Sequence, residues 1–299
     1  MARKPPEFSD VLDTLDLEEI GEGVFEGLSP QGGWSRIFGG QLIGQSLVAA
    51  QRSVKDLEAR PVHSFHSHFL RPGNSEIPIR FEVETIRDGR SFSTRHVRAT
   101  QQGKGILMMT VSFQDREEGF EHQIDMPDVP SFQDVEITPD IFAKRMKDLP
   151  KEMREHMSQP RPIEMRFITE REMHDPKPGD PEVDLWFRAA DFVKLGDNQA
   201  DHNAVLTFAS DMSFMDTALV PHGSSLMDPN VHGVSLDHSV WFHEPVDMSA
   251  WLLFTRQSPW ASHGRGFVRG MIFDQSGKLV ASVVQECLIR KLPAGGEGA

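Results

Sequence analysis

Apolar and polar positions along the chain follow two rhythms, and each rhythm occurs twice. Leu42, Ile43, Leu47 and Val48 recur at one-face helical spacing behind the glycine pair of "RIFGGQLIGQSLVAA", which predicts a helix over roughly 41–54. Four alternating stretches follow: "VHSFHSHFL" (62–70), "IPIRFEVETIRDG" (77–89), "SFSTRHVRATQQG" (91–103) and "ILMMTVSFQD" (106–115). Turn signals separate them, so they read as an antiparallel meander. A shorter strand-like stretch ending in glycine precedes the helix within 14–27.

Residues 115–162 break the rhythm. They are acidic and punctuated by proline, and "IFAKRMKDLPKEMREHM" within them reads as one or two short helices. The pattern then returns. "IEMRFIT" (163–169) and "VDLWFRAA" (183–190) read as strands, and "NAVLTFASDMSFMDTALV" (203–220) reads as a helix. "GVSLDHSVWFH" (233–243), "WLLFTRQSPW" (251–260), "GRGFVRGMIFD" (264–274) and "LVASVVQECLIR" (279–290) complete a second meander. Arg71-Pro72 matches Glu244-Pro245 at an offset of 173, and Val97-Arg98 matches Val268-Arg269 at 171. Phe113-Gln114 matches Val284-Gln285, also at 171. Offsets held this closely over a whole meander mark an internal duplication. Laying Phe38 on Phe208 sets Gln41 on Asp211, which puts Asp211 in the first turn of the second helix. The expected division is an N-terminal domain over 1–114, a connector over 115–162, a C-terminal domain over 163–291 and a tail over 292–299.

Composition narrows the function. With 31 Lys and Arg against 45 Asp and Glu, the net charge of −14 argues against a nucleic-acid partner, which requires a basic footprint. A single cysteine, Cys287, excludes an intrachain disulfide and fits a reducing compartment. The start "MARKPPEFSD" lacks the apolar stretch of a secretion signal, and no run approaches the roughly 20 apolar residues of a membrane helix. The expectation is a soluble cytoplasmic protein without membrane insertion. The absence of tyrosine rules out any mechanism that needs a phenol.

Several residue types are candidates for chemistry. An acid at a helix start stabilises the dipole, so Asp211 is either a cap or a reactive carboxylate, and the neutral Gln41 at the matched position favours the second. Strand alternation puts Gln285 on one face with Val283 and Cys287, where a buried amide needs a partner. Ser235 opens its strand outside any nucleophile elbow, since no Gly-x-Ser-x-Gly occurs. His66 and His68 share a strand face but lack a third metal ligand. Arg87, Arg90, Arg95 and Arg98 form either a solvated hairpin face or a grip for ligand phosphates.

"FGGQLIGQSLVAA", "VHSFHSHFLRPG", "ETIRDGRSFSTRHV", "MTVSFQ", "ASDMSFMDTAL", "LDHSVWFHEP", "HGRGFVRG" and "VASVVQE" occur in this order from about residue 15 to 290. Together they resemble the type II acyl-CoA thioesterases. The resemblance implies an α+β double hotdog fold, with two tandem hotdog domains, each an antiparallel sheet wrapped around a central helix. It implies hydrolysis of acyl-CoA to a free acid and CoA with no metal or cofactor; the expected reaction is direct water attack on medium- or long-chain fatty acyl-CoA. The catalytic acid falls on Asp211, the glutamine on Gln285, and the hydroxyl position, usually threonine, on Ser235. Self-association into a homodimer or tetramer follows from the same resemblance. The alternatives are a hotdog enoyl-CoA hydratase, whose Asp/His signature is not found here, and a non-catalytic acyl-CoA-binding protein.

Overall fold

The computed structural model describes residues 7, 10–30, 35–135, 160–168 and 176–292. The helices expected within 141–157 lie outside them. Among the described residues thirteen strands form one antiparallel sheet in the order β1-β2-β4-β5-β6-β3-β10-β13-β12-β11-β8-β7, with β9 paired to β13. The first half contributes β1 (Glu18–Gly21), β2 (Val24–Gly27), β3 (Val62–Phe69), β4 (Ile79–Asp88), β5 (Phe92–Gln101) and β6 (Lys104–Gln114). The second contributes β7 (Ile163–Phe167), β8 (Glu182–Ala189), β9 (Val231–Ser235), β10 (Asp237–Phe242), β11 (Leu252–Ser262), β12 (Arg265–Phe273) and β13 (Leu279–Lys291). The halves meet edge to edge where β3 pairs with β10, Phe65 lying opposite Val240. Each half thereby covers the other's exposed edge. A short helix, α1 (Val11–Leu15), opens the fold in place of the first part of the strand-like stretch.

The expected helix over 41–54 is α2 (Gly39–Arg52), and its apolar face, with Leu42, Ile43 and Leu47, is fully buried under the first half's strands. The second helix departs from expectation. α3 runs Gln199–Ser210, begins at the Asn198 cap, whose side chain accepts from the Ala200 N–H, and ends before Asp211. A 3-10 turn follows at Met215–His222. Neither Gly nor Pro interrupts "ASDMSFM", so nothing local stops the helix there. The stop is tertiary: the Arg256 guanidinium reaches from β11 to the Ser213 carbonyl (2.9 Å), and Ser213 adopts φ +56°, a conformation typical of helix ends. Leu236 also splits the expected strand 233–243 into β9 and β10.

The two helices pack antiparallel. Gln51 near the end of α2 donates to the Ala200 carbonyl (3.5 Å) at the start of α3. At the other end, a Cβ on Gly40 would lie 2.3 Å from the Phe208 carbonyl, and one on Gly44 would lie 3.5 Å from that of Ala204. Glycine is required at position 40 because two backbones touch there. Phe38 and Phe208, matched as duplicates by sequence, are packing partners with rings 5.1 Å apart, edge to face.

Residues after β6 cross the outer face of the second half. The Trp186 indole donates to the Pro130 carbonyl (2.9 Å), Phe132 stacks on Trp251 at 5.6 Å, and Arg166 lies 4.6 Å over the Trp251 ring. Gln123 ties the same segment to Gly277 and Leu279. This is a second, smaller apolar cluster, separate from the main core around the helices.

Candidate active site

Asp211 is the residue immediately after α3, its C-cap, and not part of a first turn. Because the helices are antiparallel, that position abuts the start of α2. The Asp211 carboxylate accepts from the Gly40 N–H, and a Cβ on Gly39 would stand 2.6 Å from its Oδ2. The glycine pair read as a helix entrance is therefore a cradle for a carboxylate from the other half. Helix-start N–H groups lack intrahelical acceptors, so they suit an anion. The offset of 170 fails for the helices: their matching ends are Ser53 and Asp211, 158 apart, because the 3-10 turn and β9 intervene before β10. Gln41 braces the start of α2. Its amide donates to Ser29 Oγ (2.9 Å) and, with Gln45, ties residues 28–29 to the helix.

The inner face of β13 carries Gln285, as alternation predicts, with no exposed surface. Phe113, also fully buried, has the opposite parity to its matched Val284, so that motif pair is out of phase by one residue. Gln285 Nε2 donates to Asp211 Oδ1 (3.2 Å) and makes a very short hydrogen bond to Ser235 Oγ. Ser235 ends β9, opposite Cys287. The fold thus gathers Asp211, Ser235 and Gln285 from a helix end and two strands.

Burial pushes the Asp211 carboxyl up to about 7, against the lowering effect of hydrogen bonds from Gln285, the Gly40 N–H and Ser235. A carboxyl poised there has both protonation states available near neutral pH, which is what a general base needs.

His238, on the inner face of β10, joins the site without having been singled out. Its Nδ1 is 3.7 Å from Asp211 Oδ1, and its Nε2 is 2.9 Å from Ser210 Oγ. The signal was present in "LDHSVWFH", where alternation puts His238 on the same side as Val240 and Phe242. Burial lowers the imidazole to about 3, so it is neutral.

The remaining candidates serve elsewhere. Cys287 is buried and its thiol is pushed up to about 12, far from a nucleophile. Arg95 is only 3% exposed, grips Asp88 (2.8 Å) and donates to Ser53 Oγ (3.0 Å) at the end of α2. It is therefore neither a solvated face nor free for a phosphate. His66 faces outward and bonds Ser239 (3.1 Å); among the described residues no group of three metal-binding side chains occurs.

Two sheets joined edge to edge over antiparallel helices, with a polar cluster at the helix seam, define a double hotdog protein. A protein of unknown function from Alicyclobacillus acidocaldarius, described as having a hot dog fold, superimposes with a TM-score of 0.74 at 21% identity, covering 95% of this chain and 98% of that one. The chain belongs to the acyl-CoA thioesterase family: residues 29–114 match its N-terminal domain and residues 140–289 its C-terminal domain. It is 37% identical over 292 residues to acyl-CoA thioesterase 2 of Haemophilus influenzae, covering 94% of this chain and 99% of that one. It is 36% identical to human acyl-coenzyme A thioesterase 8, covering 98% and 93%. The structure of acyl-CoA thioesterase II TesB2 from Mycobacterium marinum superimposes with a TM-score of 0.76 at 35% identity, over 96% of this chain and all of that one.

Proposed function

We propose that the protein hydrolyses acyl-CoA thioesters to free acid and CoA, with Asp211, Ser235 and Gln285 as its catalytic residues. The observation that carries this is a buried carboxyl near 7, held between the Gly40 N–H, Gln285 and Ser235 at the mouth of α2. Ionised Asp211 takes a proton from a water, and Ser235 and Gln285 orient that water toward the thioester carbon. The carbonyl oxygen, which gains negative charge on attack, lies against the first turn of α2, where backbone N–H groups and the helix dipole stabilise it. Collapse of the tetrahedral species expels the CoA thiolate, and Asp211 returns its proton. Ser235 supplies the hydroxyl that the family usually takes from threonine. The acyl chain, of medium or long length, runs along the apolar seam between helix and sheet. The substrate partner is thus acyl-CoA, and the chain works in the cytoplasm as a homo-oligomer.

The test is thiol release from a panel of acyl-CoAs, short to long, followed with a thiol reagent. With Cys287 buried and its thiol near 12, the native protein contributes little blank. Release from the wild type that disappears in a folded Asp211→Asn variant supports the reading, and undiminished release in that variant overturns the assignment. Loss of enoyl absorbance from an enoyl-CoA, without thiol release, would replace it with a hydratase.

A further inference from the structure

His238 has no exposed surface. The Phe65 ring stacks on it at 6.3 Å, Phe214 meets it edge-on at 5.9 Å, and its carbonyl accepts from Ser67 Oγ (2.7 Å). Apolar walls of this kind keep an imidazole neutral, and a neutral imidazole has one donor and one acceptor. Nε2 faces Ser210 Oγ at 2.9 Å. Nδ1 has no hydrogen-bond partner, and its 3.7 Å to Asp211 Oδ1 is too long for one. Gln285 Oε1 is a second buried polar atom without a partner. The two belong to neighbouring side chains: the Gln285 amide is the hydrogen-bonding group that acts on the His238 imidazole against its burial, and the pairing of β10 with β13 ends one residue away, at Ser239 opposite Val284. Gln285 already directs its Nε2 hydrogens to Asp211 Oδ1 and Ser235 Oγ. One orphan is thus a potential donor and the other an obligate acceptor.

We infer that His238 carries its proton on Nδ1 and donates it to Gln285 Oε1, fixing which way the Gln285 amide faces. The resulting order is Ser210 O–H to His238 Nε2, His238 Nδ1–H to Gln285 Oε1, and the Gln285 amide hydrogens to Asp211 and Ser235. Ser210 Oγ also lies 2.8 Å from the Thr207 carbonyl, and its single proton turns to the imidazole in this arrangement. The opposite tautomer would set the lone pairs of Nδ1 and Oε1 against each other, in a place where unpaired polar atoms are most expensive. A reversed amide would aim its oxygen at the Asp211 carboxylate. His238 touches neither water nor thioester in this scheme; it is a positioning residue that acts through Gln285. Its effect on turnover rests on the thioesterase reading, whereas the proton's location does not.

Two measurements test it. Two-bond proton–nitrogen correlation spectra of the 15N-histidine-labelled protein distinguish the tautomers, and comparison with His238→Asn assigns the His238 signals among the 13 histidines. The expected pattern is a protonated Nδ1 and a bare Nε2; a protonated Nε2 overturns the inference. In the second, asparagine puts an N–H near the Nδ1 position and leucine does not. His238→Asn should keep kcat within about fivefold of wild type, while His238→Leu should lose on the order of 100-fold in kcat with KM little changed. Equal losses in two folded variants would mean that His238 only fills space, and would overturn the inference. If the wild type releases no thiol from any acyl-CoA, the thioesterase reading falls alone, and the spectrum still decides the tautomer.

Discussion

Asp211 and His238, 3.7 Å apart, should impose opposite pH dependences on stability, and removing either should expose the other. Burial raises the Asp211 carboxyl from 3.8 to about 7. Between those values the folded chain keeps a proton that the unfolded chain has released, so stability falls as pH rises. Three units correspond to about 4 kcal/mol lost by pH 8. Burial lowers His238 from 6.5 to about 3. Between those values the unfolded chain holds a proton that the folded chain refuses, so stability rises with pH, by about 5 kcal/mol over the whole window. From about pH 4 to 6.5 the two slopes nearly cancel. Asp211→Asn removes the first. Relative to wild type it should gain little at pH 4 and progressively more up to pH 7, levelling near 4 kcal/mol, which is about 8 °C in Tm for a chain of this size. His238→Asn should show the reverse trend, gaining on wild type as pH falls below 6.5. Urea or thermal unfolding at intervals from pH 4 to 9 reads both differences, and titrations elsewhere in the chain drop out of them. A pH-independent gap between Asp211→Asn and wild type would refute the reasoning, because it would mean that the Gly40, Gln285 and Ser235 donors hold the carboxylate ionised throughout.

Three further outcomes follow from the same geometry. The rate kcat/KM should rise with pH through an apparent pKa near 7 as Asp211 ionises, and a profile flat from pH 5 to 9 would remove it as the base. Gly39→Ala would put a Cβ 2.6 Å from Asp211 Oδ2; it should leave a folded protein whose turnover is reduced by on the order of 100-fold, as steady-state kinetics would show. Trp251→Ala strips the ring between Phe132 and Arg166, and should cost about 3–5 kcal/mol of stability while per-molecule activity in the folded fraction is kept.

The strands were legible because period-2 alternation and turn residues are local signals: every one lies within a few residues of its predicted position. The expected simple meander fails at its first strand in each half, since β3 pairs with β6 and β10 with β13 rather than with the next strand in sequence, a long-range pairing that local signals do not carry. Asp211, Ser235 and Gln285 stand out in the sequence through the family resemblance, and the structure brings them into hydrogen-bonding reach of one another. The end of α3 was not legible, because Arg256, 45 positions beyond Asp211, sets it by capturing the Ser213 carbonyl. That one error carried the rest. With the helix extended to 220, the overlay of Phe38 on Phe208 set Asp211 at a helix start, and its true partner, the start of α2 in the other half, could not be seen. His238 was overlooked for a different reason: the alternation of its strand marked it as inward, but only the packing of β10 beside β13 brings it to Gln285.

The contact between Asp211 and the Gly40 N–H also bears on how variation in this chain should be read. All three side chains assigned to the chemistry come from the second half, yet the backbone that receives Asp211 comes from the first. Inactivating substitutions should therefore fall into two sets, polar positions spread over 211–285 and the glycine pair at 39–40. The second cluster would resemble packing defects in a survey scored by side-chain chemistry alone. The two halves are therefore not interchangeable copies, and a change in either bears on the one proposed centre.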